Sequence, residues 1–182
     1  MQKQTSLKIG DKLPEFKLVS TNGRECDLHE FEDSKIIVVM FICNHCDYVK
    51  AYEDRLIGLQ KKFADQGVTF VAINANDEIK YPENSFENML ARAKIKQYNF
   101  PYLRDKTQEV AKMFGAQYTP EIFVFDHDRI LRYHGRVDNN WQDPQKVTSE
   151  NLKEAIESLL IGQSINIPET NIIGCTVMQI NN

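Results

Sequence analysis

The unbroken apolar run Ile36-Ile37-Val38-Val39-Met40-Phe41-Ile42 lacks the alternation of a half-exposed strand, so it predicts a β-strand buried on both faces. Past it, Tyr48, Tyr52, Leu56, Leu59 and Phe63 recur at steps of three and four, marking one face of a long helix that Gly67 ends. A second apolar run, Val68-Thr69-Phe70-Val71-Ala72-Ile73-Asn74, follows at once. Strand, helix and strand in that order predict a βαβ unit with parallel strands and a right-handed crossover. Ligands of such units sit beyond the carboxyl ends of the strands.

Around this unit the pattern is less regular. Asn22-Gly23 between the short extended runs 16–19 and 25–28 predicts an amino-terminal β-hairpin, with Cys26 a small packed residue on its second arm. Asn84 with Glu87 has capping-box spacing for a helix over 85–97, with Phe86, Met89, Leu90, Ala93 and Ile95 inward. Phe100-Pro101-Tyr102-Leu103 runs extended, and Thr107 is placed to cap a short helix ending at Phe114-Gly115. Residues 76–115 therefore read as a helical insertion beside the core.

Thr119-Pro120 stands before the strand pattern 121–125, and Asp126-His127-Asp128-Arg129 turns it into an antiparallel return over 130–134. An irregular connector, 135–147, carries the single tryptophan, Trp141. Thr148 or Ser149 is placed to cap a helix with Leu152, Ala155, Ile156, Leu159 and Leu160 inward, stopping at Gly162. Residues 163–182 have no helical period but are apolar enough to fold back.

A length of 182 residues suits one α/β domain over 1–182, with a core over 7–162 and a carboxyl-terminal extension over 163–182. The formal net charge of −4, mixed in sign along the chain, argues against nucleic acid or an anionic membrane as partner. The first residues hold no apolar stretch of signal-peptide length, and no run reaches membrane-spanning length, so the expected compartment is the cytoplasm. In that reducing setting cysteines serve chemistry more often than structure.

The chemistry concentrates at Cys43-Asn44-His45-Cys46, between the end of the first strand and the start of the long helix. Unpaired amides and a positive dipole at a helix start favour a thiolate, and Cys43 is read as the acidic sulfur. At an ordinary pKa of about 8.5 only roughly 3% of a thiol is ionised at pH 7, so lowering it creates a nucleophile. Cys46 would then resolve any mixed disulfide formed on Cys43. A Cys-x-x-Cys pair also supplies half of a tetrahedral zinc site, but no second pair exists: Cys26 and Cys175 are isolated and His29, His127 and His134 scattered. The expectation is a redox pair with no metal and no organic cofactor.

Taken together, the turn at Gly10 with Pro14, the hairpin glycine Gly23, the Cys43-Asn44-His45-Cys46 pair and Thr119-Pro120 give a chain that resembles a thioredoxin-fold protein of the redoxin branch, which also holds the alkyl hydroperoxide reductase/thiol-specific antioxidant enzymes. It is similar in particular to thioredoxin-like redoxins sharing Phe41-Ile42-Cys43-Asn44-His45-Cys46-Asp47-Tyr48-Val49, Phe100-Pro101-Tyr102-Leu103, Gly135-Arg136-Val137-Asp138 and Gly174-Cys175-Thr176. The resemblance implies a central mixed sheet flanked by helices, Cys43 exposed, Cys46 more buried, and a cis Thr119-Pro120 peptide facing them as substrate-binding backbone.

It further implies a thiol-disulfide oxidoreductase acting on protein or small-molecule thiols and disulfides, recharged by a reductant such as a thioredoxin or glutathione system. Ile42 and Asn44-His45 depart from the tryptophan and Gly-Pro of thioredoxins proper, and Ile37 replaces their buried carboxylate. His45 between the cysteines resembles protein disulfide isomerase, where an imidazolium stabilises the thiolate. Asn44 and Asp47 are the other candidate pKa-tuning neighbours, Asp47 slightly opposing ionisation of Cys46.

Peroxiredoxins carry a threonine three residues before the peroxidatic cysteine. Met40 and Cys43 hold those places here, which counts against a thiol peroxidase. A redox-inert binding module is the alternative of a different class. Cys175 is an auxiliary redox thiol if the tail folds across the site, and otherwise a packed apolar residue.

Overall fold

Residues 7–179 are described by a computed structural model. Its centre is the first apolar run, β3 (Ile36–Phe41), every residue of which is buried. Parallel to it lies β4 (Val68–Asn74), and antiparallel on its other side β7 (Glu121–Phe125). The hairpin partner of β7 is β8 (Leu131–Gly135). The amino-terminal hairpin is β1 (Lys17–Ser20) with β2 (Glu25–Asp27), turning at Gly23. These strands and β5 (Tyr102–Arg104) make one mixed sheet of order β2-β1-β5-β4-β3-β7-β8.

The position of β5 corrects one expectation. Residues 76–115 are not wholly an insertion beside the core, because β5 runs parallel to β4 and antiparallel to β1 and joins the hairpin to the rest of the sheet. The aromatic and branched Tyr102-Leu103 pair supplies the buried strand that this requires.

Successive residues of β3 point to opposite faces, and each face has its own apolar cluster. Ile36, Val38 and Met40 meet α1 (Asp47–Phe63), Met89 of α2 (Phe86–Lys96) and Leu152, Ala155 and Ile156 of α4 (Asn151–Leu160). Ile37, Val39 and Phe41 meet Phe114 of α3 (Glu109–Phe114), Phe123, Phe125 and the amino-terminal Leu13 and Phe16. Burying each such large side chain contributes roughly 1.5–3 kcal/mol, so register along β3 is strongly specified. Cys26, 3% exposed, lies in the second cluster, where burial pushes its thiol up to about 12.

Three helix expectations change in detail. Ser85, not Asn84, caps α2, its Oγ accepting from Asn88 N–H at 3.3 Å. Leu90 and Ile95 are exposed rather than inward, and Met89 is the buried anchor. α4 starts one residue later than a Ser149 cap allows, with Glu150 at the N-cap position.

The tail folds back over the sheet's carboxyl end. Pro168 and Thr170 bond the backbone of His134, and the Thr170 hydroxyl fills the place where a side chain on Gly135 would sit, 2.0 Å from the position of its Cβ. Then β9 (Cys175–Thr176) pairs antiparallel with β6 (Tyr118–Thr119), and Val177 N–H bonds Gln117 O at 2.8 Å.

Candidate active site

The chain leaves β3 at Phe41, and Ile42 N–H still bonds Ile73 O of β4 at 3.0 Å. Residues 43–46 then cross to α1, whose first helical residue is Asp47 and whose N-cap is Cys46. Asn44, 7% exposed, holds this crossing in place. Its backbone N–H donates to Asn84 Oδ1 at 3.1 Å, its side-chain amide to Glu83 O at 2.7 Å, and its Oδ1 accepts from the Tyr102 hydroxyl at 2.9 Å. Asn74 also donates to Asn84 Oδ1, at 3.2 Å. With two donors on its oxygen, the Asn84 amide must present N–H to His45 Nδ1, 2.9 Å away.

That contact decides what His45 does. Nδ1 is an acceptor, so the ring carries its proton on Nε2, and the imidazole lies stacked on Tyr81 at 5.5 Å and 8°. The likeness to protein disulfide isomerase implies an imidazolium that stabilises a thiolate; the contacts the ring makes here are with Asn84 and Tyr81. Asn84, Asn74, Tyr81 and Tyr102 are the members of this network that sequence reasoning missed. Asn84 was legible only as a helix cap.

The sulfurs meet Thr119, whose bond to Pro120 is cis. Cys43 Sγ lies 3.2 Å from the Thr119 hydroxyl, and Cys46 Sγ donates to Thr119 O at 3.1 Å. Cys46 Sγ also lies 2.7 Å from Cys175 Sγ. All four cysteines are unbonded thiols.

Two expectations about the pair are corrected. Cys43 is not exposed: it and Cys46 are each 1% exposed, because Thr119 and the tail strand close over them. Nor is Cys43 the acidic sulfur. Cys46 occupies the N-cap without a side-chain capping hydrogen bond, and the Val49 amide is among the groups that favour its thiolate. The neighbouring Cys43 thiol is the largest cause lowering Cys46 to about 5, with burial opposing and Cys175 assisting. Cys43 is raised, first by its hydrogen bond to Cys46 and then by burial, with the Thr119 hydroxyl opposing. Asp47 is exposed and pairs with Lys50 at 3.2 Å, and its charge acts on Cys175.

Chemically, one proton short of a full complement, the pair holds its charge at Cys46 with Cys43 as donor, and the hydrogen bond that the Cys46 thiol donates to Thr119 O is given up. Passing that proton across turns Cys43 into the thiolate. Thr119 and Pro120 thus stand where the resemblance implied, but the β6 edge is taken by the chain's own β9. Among the described residues Asp126, His127 and Asp128 could bring three ligand atoms together, on an exposed turn remote in sequence from the sulfurs.

Comparison with known proteins now settles kinship. The AhpC/TSA family profile matches residues 9–134. The chain belongs to the AhpC/TSA family. Within reach of this family it is similar to a hypothetical protein from Sinorhizobium meliloti 1021, at 35% identity, 98% coverage of each chain and a TM-score of 0.92. An uncharacterized conserved protein from Geobacillus kaustophilus is comparable, at 37% identity, covering 96% of this chain and 94% of that one, with a TM-score of 0.91. Both matches run beyond the AhpC/TSA region and take in the tail. The thiol-disulfide oxidoreductase ResA of Bacillus thuringiensis subsp. konkukian is 26% identical over 87% of this chain and 80% of its own length. The thioredoxin domain of a thiol-disulfide oxidoreductase from Bacteroides vulgatus, 15% identical, covers 85% of this chain and 99% of its own with a TM-score of 0.67, which establishes the thioredoxin-like fold.

Proposed function

We propose that this AhpC/TSA family member is a thiol-disulfide oxidoreductase that cycles Cys43 and Cys46 between dithiol and disulfide. The observation that carries the reading is two unbonded thiols in mutual hydrogen-bonding reach at the carboxyl end of β3, one on the helix N-cap. Similarity to ResA proteins named as thiol-disulfide oxidoreductases supports it.

In the forward direction Cys43, having passed its proton to Cys46, attacks one sulfur of a substrate disulfide. A mixed disulfide forms and one substrate thiolate leaves. Cys46 gives the proton it received to that departing thiolate and, now a thiolate itself, attacks Cys43 Sγ; the second substrate thiolate leaves and the Cys43-Cys46 disulfide remains. Substrate backbone would pair with Thr119 on β6, which requires β9 to move aside. The substrates are protein or small-molecule disulfides, a thioredoxin or glutathione system is the proposed reductant, and the cytoplasm the proposed compartment. No helix among the described residues is long and apolar enough to cross a membrane.

Reduction of insulin disulfides by the wild type, lost in Cys43→Ser, is the expected result. Rapid consumption of hydrogen peroxide without disulfide reduction would replace this reading with a peroxidase. Retention of partner binding by the Cys43→Ser/Cys46→Ser double variant, with no redox activity in the wild type, would replace it with a binding module.

A further inference from the structure

The tail does more than cover the pair. Gly174 fits against the Thr119-Pro120 peptide so closely that a Cβ there would stand 2.4 Å from Thr119 O, and Cys175 pairs with Thr119 in the β6-β9 ladder. This seats Cys175 Sγ 2.7 Å from Cys46 Sγ, while Cys46 is also in reach of Cys43. A disulfide needs about 2.05 Å between sulfurs, a gap that small side-chain rotations close. Cys46 is therefore the middle sulfur of three. Of these only Cys175 has appreciable exposure, since Cys43 and Cys46 are each 1% exposed.

Resting on the proposed dithiol cycle, we propose that Cys175 is a third redox sulfur, which takes Cys46 from the Cys43-Cys46 disulfide and carries the oxidising equivalent to the surface. The step is an exchange and needs no further oxidant. Cys175, as thiolate, attacks Cys46 Sγ; the Cys46-Cys175 bond forms and the Cys43-Cys46 bond breaks. Cys43 leaves with the electron pair and takes up the proton that Cys175 gave up. One disulfide and one thiol are present before and after. The reductant then meets the bond at Cys175, while Cys43 is again a thiol ready for substrate.

Burial and the hydrogen bond to Cys46 raise the Cys175 thiol to about 12 in the fully reduced site. Once Cys46 is in a disulfide it carries no negative charge, so that part of the opposition is gone and Cys175 ionises more readily.

The test uses the full chain. Cys43→Ser treated with diamide should lose two hydrogens in intact mass, and its tryptic digest should link peptide 36–50 to peptide 154–182. With tethered sulfurs at an effective concentration of about 1 mM or more, closure should outrun dimer formation on the order of 100-fold at about 10 μM protein. In parallel, wild type oxidised by a model disulfide is acid-quenched and its free thiols alkylated. Label at Cys43, marking a bond that has moved, is expected. Absence of the link in Cys43→Ser, or of label at Cys43 in the wild type, overturns the proposal. Cys175→Ser examines the parent reading separately. If it closes Cys43-Cys46 while either expected signal is absent, only Cys175 is excluded from the cycle; if neither it nor the wild type closes that bond, the dithiol cycle itself falls.

Discussion

Substituting Gly174 by alanine should open the site. The added Cβ would lie 2.4 Å from Thr119 O and 2.8 Å from Thr119 C, whereas ordinary contact is 3.4–4 Å. Both atoms are backbone next to Pro120 and cannot rotate away, so the tail must retreat by about 1 Å or leave. What retreat disrupts is the two-residue β6-β9 ladder and the Val177-to-Gln117 bond. At about 0.5–1.5 kcal/mol per hydrogen bond, losing two raises the open population by roughly 1–3 kcal/mol, or about 5- to 150-fold. The sheet core does not depend on these bonds, so global melting should move little. Residue-resolved alkylation of the reduced protein measures the effect: Cys43 should be labelled faster in Gly174→Ala by that factor, and Cys46 faster by a smaller one. Rates within twofold of wild type would refute the claim that the tail gates the pair.

The thiolate absorbance of the reduced protein should rise through about pH 5, with the step absent in Cys46→Ser and moved upward in Cys43→Ala, which lacks the chief donor. Because Cys46 in the folded chain lies below the ordinary thiol value, its contribution to stability is full above about pH 8.5 and is lost as pH falls through about 5; melting of wild type relative to Cys46→Ser at each pH checks the sign. Asn84→Ala should orphan the buried Asn44 N–H and leave the Asn74 amide with the Tyr102 hydroxyl alone, costing roughly 1–3 kcal/mol, with a fall in melting temperature read by calorimetry. Glu53→Ala, which leaves Arg92 and the Tyr98 hydroxyl without their carboxylate at 2.6 Å, should cost about 2–3 kcal/mol in urea unfolding, less than a fully buried pair because Arg92 is partly exposed.

The sheet was legible wherever burial on both faces left unbroken apolar runs. β3, β4 and β7 were visible for that reason, and α1 through its apolar stripe. β5 was not placed, because three residues carry no period and their sheet partners are set by tertiary pairing alone. At the site, Cys43, Cys46, Thr119 and Pro120 converge as their spacing and the resemblance implied. The exchange of roles between the two sulfurs was hidden, since it follows from how Cys43, Cys46 and Cys175 are turned toward one another, and Cys175 comes from a tail 129 residues on. The Asn84 network was hidden too: an asparagine before a helix reads as a cap, and only the third dimension shows it turned to Asn44 and His45. Glu53 stood in sequence as one charge among many on α1, yet it is 1% exposed.

Burial and acidity oppose each other at this pair, and the tail decides the balance. Burial is among the main causes raising Cys43, and Cys175 is one of the donors lowering Cys46. When β9 leaves β6, water returns to Cys43 and favours its thiolate, while Cys46 loses the Cys175 hydrogen bond and becomes less acidic. The conformation that admits a substrate is thus the one in which Cys43 competes as nucleophile. The closed conformation keeps the charge on Cys46, against the one sulfur that can accept a bond from it without a partner. Gating and chemistry are then a single equilibrium, so Gly174→Ala should speed labelling of Cys43 more than of Cys46, and a uniform increase would show that the tail acts as a cover alone.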